Sequence, residues 1–345
     1  MHIIYTPDHH LHHGQFEFYR GELVPCFEKP ERADYVFKAV TEQNIGQVSA
    51  PDSFPLAPIE RVHVPRYLRF LERAWDSWTA LGNTRDAIPA VWPIRGFRHD
   101  VEPDNFIAQL GLYSYDSGTP LTAGTWRAAR LGAEVALTAQ RRIAQGTRSA
   151  FALSRPPGHH AGPDFLGGYC FINNAAVAAQ AFLDGGAARV AILDVDYHHG
   201  NGTQAIFYDR ADVLFQSIHG DPKTEYPFYL GHADETGAGE GLGFNRNYPL
   251  AAGSSNEQWF AALDAACKRI RDYAPDALVI SLGVDTFVGD PISKFRLDAP
   301  EYLRLGAQLA RLGLPTLFVM EGGYAVEEIG LNVAHVLRGF RDVAG

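Results

Sequence analysis

Arg189-Val-Ala-Ile-Leu193 runs directly into Asp194-Val-Asp196-Tyr-His198-His199-Gly-Asn201-Gly. A short β-branched apolar run that turns at once into polar residues reads as a strand buried on both faces, ending at a reactive edge. Val213–Phe215, Ala277–Leu282 and Thr316–Met320 read the same way. Between them, Asn173–Leu183, Glu257–Tyr273 and Pro300–Leu312 carry apolar residues at helical spacing. This alternation predicts an α/β fold: a single domain over 1–345 with a mostly parallel multi-stranded sheet flanked by helices.

Residues 82–120 break the pattern, being rich in Gly, Pro, Trp and Asp without a clear period. A long excursion inside a compact domain is usually functional or disordered, and the aromatics Trp92, Phe97, Phe106, Tyr113 and Tyr115 favour a structured one.

The net charge of -10 excludes the basic excess typical of nucleic-acid binders and suits a cationic small molecule or peptide. Cys26, Cys170 and Cys267 are too few and too far apart for a disulfide framework or a zinc knuckle. The opening Met-His-Ile-Ile-Tyr is no basic-then-apolar leader, and no apolar run is long enough to span a bilayer. A cytoplasmic protein without membrane contact is expected.

Chemistry-bearing residues gather where the strands end. After Ser149–Leu153 comes Arg155-Pro-Pro-Gly-His159-His160, and Phe215 leads into Gln216-Ser217-Ile218-His219. Leu282 leads into Gly283-Val-Asp285, and Met320 into Glu321-Gly-Gly-Tyr324. The C-terminal ends of parallel strands share one rim, where ligands bind.

Residues two apart on a strand share a side, so Asp194, Asp196 and His198 can converge on an ion, with Asp285 arriving from another strand. Three protein ligands and an open position describe a catalytic zinc, and an oxygen-rich Asp2His set also suits Fe2+. Any one of these residues alone would read as a cap or turn; the constellation reads as a metal centre. His159-His160 follows a turn that can aim both rings inward, which supplies a base of near-neutral pKa. Asp194 and Asn201 are candidates to hold the far ring nitrogens. Tyr324, after two glycines, could donate to an oxyanion opposite the metal, or simply plug a loop.

Other signals carry less. Cys170 reads as a small apolar filler rather than a nucleophile. His9, His10, His12 and His13 lack helical or tetrahedral spacing and read as a plain loop or incidental metal affinity. The glycines of 237–243 lack the partners of a nucleotide loop.

Taken together, Arg155-Pro-Pro-Gly-His-His, Gly168-Tyr-Cys-Phe-Ile-Asn-Asn-Ala, Asp194-Val-Asp-Tyr-His-His-Gly-Asn-Gly-Thr, Gly283-Val-Asp285 with Asp290-Pro291, and Glu321-Gly-Gly-Tyr324 resemble the histone deacetylase and acetylpolyamine amidohydrolase family. The resemblance runs from about Tyr5 to the C-terminus and is strongest to bacterial acetylpolyamine amidohydrolases. It implies an arginase/deacetylase-type fold with zinc on Asp196, His198 and Asp285. It implies His160 as general base, His159 as general acid or electrostatic partner, Asp194 and Asn201 as their orienters, and Tyr324 polarising the acetyl carbonyl. Asn201 stands where many histone deacetylases carry Asp, which implies a weaker base. The resemblance also implies structural K+ or Na+ at Asp194, Asp196, His198, Ser217 and Ile218, and a second such site at the Phe207, Arg210, Val213 and Phe244 carbonyls. Gly168, Tyr169 and Tyr226 would line a substrate tunnel, the two hydroxyls being departures from a common Phe, and the excursion would join a homodimer interface.

The expected activity is hydrolysis of an N-acetylated polyamine or short diamine, with Glu17, Glu102, Asp104 and Asp116 as candidates to meet the remote ammonium. Competing readings are a protein acetyl-lysine deacetylase, a non-catalytic acetyl-ligand sensor and an arginase-like dinuclear hydrolase.

Overall fold

Every residue of Val190–Asp194, Ala277–Leu282 and Thr316–Met320 is buried. Uniform burial is what a central parallel strand with helices on both faces requires, because neither side chain row meets water. The computed structural model describes residues 1–344. Its strands are β1 His2–Ile4, β2 Phe16–Tyr19, β3 Glu22–Pro25, β4 Gln47–Ser49, β5 Ser149–Ala152, β6 Val190–Asp194, β7 Val213–Gly220, β8 Asn245–Leu250, β9 Ala277–Leu282 and β10 Thr316–Met320. The helices are α1 Glu31–Glu42, α2 Ala57–Glu60, α3 Pro65–Ala80, α4 Phe106–Leu112, α5 Thr125–Ala144, α6 Asn174–Asp184, α7 Asn201–Phe207, α8 Asn256–Tyr273, α9 Ala299–Ala310 and α10 Ile329–Ala344.

Eight strands form one sheet in the order β4-β1-β5-β10-β9-β6-β7-β8, and all seven neighbouring pairs are parallel. The alternation of strand side chains divides the core in two. Ala150, Ala152, Ile192, Val279, Leu317 and Val319 pack on one face with α3, α5 and α6. Phe151, Leu153, Leu193, Ile280, Phe318 and Met320 pack on the other with α1, α8, α9 and α10. Each large side chain buried this way contributes about 1.5–3 kcal/mol, so the layering itself is the main stabilising force.

Two strands differ from expectation. β6 includes Asp194, and β7 continues to Gly220, so Gln216–His219 lie on the strand rather than beyond it. The cause is β8, whose register from Phe215↔Asn245 to Gly220↔Leu250 extends the hydrogen-bonded ladder through those polar residues. The excursion at 82–120 contains α4, in which Phe106 and Leu110 are buried, and Tyr113 directly follows as a buried cap. Phe97, by contrast, is 62% exposed. No helix among the described residues is long and apolar enough to cross a membrane.

Candidate active site

The four central strands β5, β10, β9 and β6 deliver their C-terminal ends to one place. From β6, Asp196 and His198 meet Asp285 from β9: their ligand-capable atoms lie within 4.8 Å of one another, and all three residues are buried. His198 Nδ1 is 2.9 Å from Asp285 Oδ2 and 3.4 Å from Asp196 Oδ1. Backbone amides fix both carboxylates. Asp196 Oδ2 accepts from Gly322 N at 2.8 Å, and Asp285 Oδ1 accepts from Tyr197 N at 2.7 Å. The close approach needs glycine: a Cβ at Gly283 would fall 2.0 Å from Asp196 Oδ2, and one at Gly322 within 2.7 Å of both carboxylates.

Asp194 separates from this trio. Its Oδ2 accepts from His159 Nδ1 at 2.8 Å, while its Oδ1 accepts from Asp196 N at 3.1 Å. Burial and then the neighbouring Asp196 push Asp285 up to about 8. Two buried carboxylates that resist ionising together, with an imidazole beside them, form a donor set that a divalent cation satisfies. The residues therefore fit a metal ion.

The turn after β5 places both histidine rings over this point. Glu321 Oε2 accepts from Gly158 N at 2.7 Å and His159 N at 3.1 Å, tying the turn to the end of β10. His160 Nδ1–H donates to Asn201 Oδ1 at 2.6 Å. The two rings have opposite electrostatics. Burial opposes charge on His159, but Asp194 and Asp196 outweigh it and raise the ring well above its ordinary pKa. For His160, burial and then the neighbouring His159 and His198 hold the ring well below. At neutral pH this leaves a neutral imidazole beside a cationic one.

Gly168 covers His160 with φ +52°, and a Cβ there would lie 2.2 Å from the ring. Tyr324 follows Gly323, its amide donating to Asp290 Oδ2 at 2.7 Å and its ring lying 4.7 Å from the Arg32 guanidinium carbon. Burial raises the Tyr324 phenol well above its usual pKa, so it remains a protonated donor.

His160, His198, Tyr324, Gly168, Tyr169 and Tyr226 all line a cavity of about 590 Å³. Of the four carboxylates considered for its mouth, Glu17 and Asp116 line the cavity. Glu102 and Asp104 do not: both are exposed, and Glu102 accepts instead from Tyr113 Oη at 2.6 Å. Glu17 accepts from Tyr169 Oη at 2.8 Å, and burial pushes its carboxyl up to about 7. Asp116 Oδ2 accepts from Gly168 N at 2.7 Å and Tyr226 Oη at 2.6 Å. The hydroxyls of Tyr169 and Tyr226 thus anchor the two acidic groups of the cavity wall.

Sequence reasoning missed the support beneath the site. Glu28, buried on the chain before α1, pairs with Arg155 at 2.8 Å and Arg32 at 2.8 Å. Arg32 in turn donates to the carbonyls of Gly323 and Glu321, both at 2.6 Å. The Arg155-Pro-Pro-Gly motif contained half of this network, but its partners are remote in the chain. Ser217 and Ile218 sit on β7 beside Asp194, with Asp194 opposite Ser217 in register.

The model of the histone deacetylase domain matches residues 26–340. The chain is 61% identical to acetylpolyamine amidohydrolase 2 of Pseudomonas aeruginosa, covering 99% of each chain. It is 50% identical to the acetylpolyamine amidohydrolase of Mycoplana ramosa over 98% of this chain and 99% of that one. The crystal structure of the acetylpolyamine aminohydrolase of Burkholderia pseudomallei superimposes with a TM-score of 0.96 at 42% identity, covering 100% of both chains. A match over nearly the whole chain in sequence and fold places this protein in the histone deacetylase family.

Proposed function

We propose that this chain is a metal-dependent amidohydrolase that hydrolyses N-acetylated polyamines or short diamines to acetate and the free amine. The observation that carries this reading is one cavity lined by His198, His160, Tyr324, Glu17 and Asp116, with Asp196 and Asp285 grouped on His198 at ligand spacing. The acetylpolyamine amidohydrolase names of the relatives agree with it.

Asp196, His198 and Asp285 would hold the ion, Zn2+ or Fe2+. When bound, it supplies Lewis acidity that polarises the acetyl carbonyl and acidifies the attacking water. His160 takes the proton from that water through Nε2, because Nδ1 is committed to Asn201. Tyr324 donates to the oxyanion as the carbonyl carbon becomes tetrahedral. The departing nitrogen leaves as an amine once protonated, by His160 returning its proton or by the cationic His159. Glu17 and Asp116 meet the remote ammonium, which orients the chain of the substrate along the cavity.

K+ or Na+ at Asp194, Asp196, His198, Ser217 and Ile218 would brace the β6 and β7 ends, a role supported by the Asp194↔Ser217 register. A homodimer is supported by the exposed apolar residues Val91, Ile94, Phe97 and Val101 in the excursion. A cytoplasmic setting agrees with three free cysteines.

The test is acetate release by zinc-reconstituted enzyme from acetylputrescine, acetylated polyamines and acetyl-lysine peptides. Turnover of the amines with little turnover of peptides is the expected result. Preference for peptides would reassign the substrate to acetyl-lysine proteins, and no multiple turnover on any substrate would overturn the enzyme reading.

A further inference from the structure

The histidines near the N-terminus acquire a partner that their spacing conceals. Thr6 caps a short 310 turn, Pro7–Leu11, which carries His9 inward and His10 outward. Asp34, in the first turn of α1, reaches both rings. Asp34 Oδ1 lies 3.3 Å from His9 Nε2 and 2.9 Å from His10 Nε2. One ligand-capable atom from each of the three lies within 4.8 Å of the others. We propose that His9, His10 and Asp34 form a second divalent transition-metal site, of zinc type, separate from the active site.

The donor spacing suits a shared ion, which would replace the direct hydrogen bond between His10 Nε2 and Asp34 Oδ1. Donors on a tetrahedral zinc with bonds of 2.0–2.1 Å stand about 3.3 Å apart; Asp34 Oδ1 is 3.3 Å from His9 Nε2 and, at 2.9 Å, somewhat closer to His10 Nε2. Two imidazoles and one carboxylate select zinc-like ions over Mg2+ or Ca2+, which prefer all-oxygen shells. His9 is buried, Asp34 half-buried and His10 exposed, so the group lies at the surface, where an ion can enter from solvent.

The scaffold is rigid. The His9 carbonyl accepts from Arg155 Nη1 at 2.7 Å, and Tyr5, whose hydroxyl is 3.2 Å from His9 Nε2, stacks on Phe37 of α1 at 4.2 Å. An ion here would clamp the N-terminal turn to α1 above the Arg155–Glu28 pair. It would act on stability rather than on turnover.

The experiment uses the full chain with its active site already loaded, dialysed against low micromolar Zn2+, with bound metal counted by mass spectrometry. Two ions per chain are expected in the wild type. One is expected in His10→Ala and in Asp34→Asn, with acetate release unchanged and a lower thermal midpoint than the wild type in the presence of zinc. Asp285→Asn should keep the N-terminal ion while losing the other, which separates failure of this site from failure of the active-site assignment. A wild type that stops at one ion, a second ion that survives both His10→Ala and Asp34→Asn, or one that requires millimolar zinc would each overturn the proposal. His10 is exposed and Asp34 half-exposed, so these variants leave the core untouched.

Discussion

The Asn201 amide oxygen lies 2.6 Å from Nδ1 of His160, where the paired ring of His159 has the carboxylate of Asp194. An amide orients the ring without supplying charge, so His160 stays neutral beside its cationic neighbour. Asn201→Asp would add a negative charge that stabilises the imidazolium and raises its pKa. The acidic limb of the kcat/KM profile should then move to higher pH, since the base works only when deprotonated. His160→Ala should lower kcat by about 10²–10⁴ with metal content intact. Full activity in that variant would end the role assigned to the ring.

Tyr324→Phe removes a hydroxyl that matters only once the oxyanion forms. Its kcat should fall by about 10²–10³, with KM changed far less. Steady-state kinetics on acetylputrescine make the check, and a KM effect that dominates would reassign Tyr324 to binding.

Glu17 titrates where the enzyme would work. Burial pushes its carboxyl up to about 7 from an ordinary 4.5. Only the ionised form attracts an ammonium, so KM for a cationic substrate should fall as pH rises through about 7. Glu17→Gln should flatten that dependence, while a neutral acetylated monoamine should show little of it in either enzyme. The raised value also means that the folded state holds this proton more tightly than the unfolded chain. Its contribution to stability therefore declines as pH climbs from 4.5 to about 7.

Glu28 behaves in the opposite sense. Burial alone would raise its carboxyl, but Arg155 and Arg32 outweigh burial and hold it at about 2. The stabilisation is present above its ordinary 4.5 and lost as pH falls toward 2. Glu28→Ala strands two guanidinium groups in the interior, at a cost of about 3–5 kcal/mol. Denaturant unfolding of zinc-loaded protein reads this, and a loss below about 1 kcal/mol, typical of a surface pair, would show that the network is dispensable.

Much of this architecture could be read from the chain because its central strands are mostly apolar and wholly buried. β9 and β10 span the residues expected from sequence, since nothing in Ala277–Leu282 or Thr316–Met320 competes with burial. β1 and β4, at three residues each, are too short to show a period. α5 was invisible for a different reason. Ala128, Ala129, Gly132, Ala133, Ala136 and Ala139 are all buried, so its inner face is made largely of small residues, a weaker sign of burial than Leu, Ile or Phe. His160, His198 and Tyr324, which follow β5, β6 and β10, line one cavity, so their place could be read from the strand ends. What spacing could not show was the set of partners that arrive from elsewhere: Glu28 under Arg155, Asp290 on the Tyr324 amide, and Asp34 between His9 and His10.

The order β5-β10-β9-β6 has a bearing on how this protein matures. Each of those strands contributes to the pocket, yet the chain segment carrying β9 is synthesised long after β6, and β10 later still. A nascent polypeptide ending before Asp285 has two of the three ligands and no closed cage. Loading with metal should thus be a late event that follows assembly of the sheet, and a fragment ending before β9 should be unable to retain the ion tightly however well its own helices form.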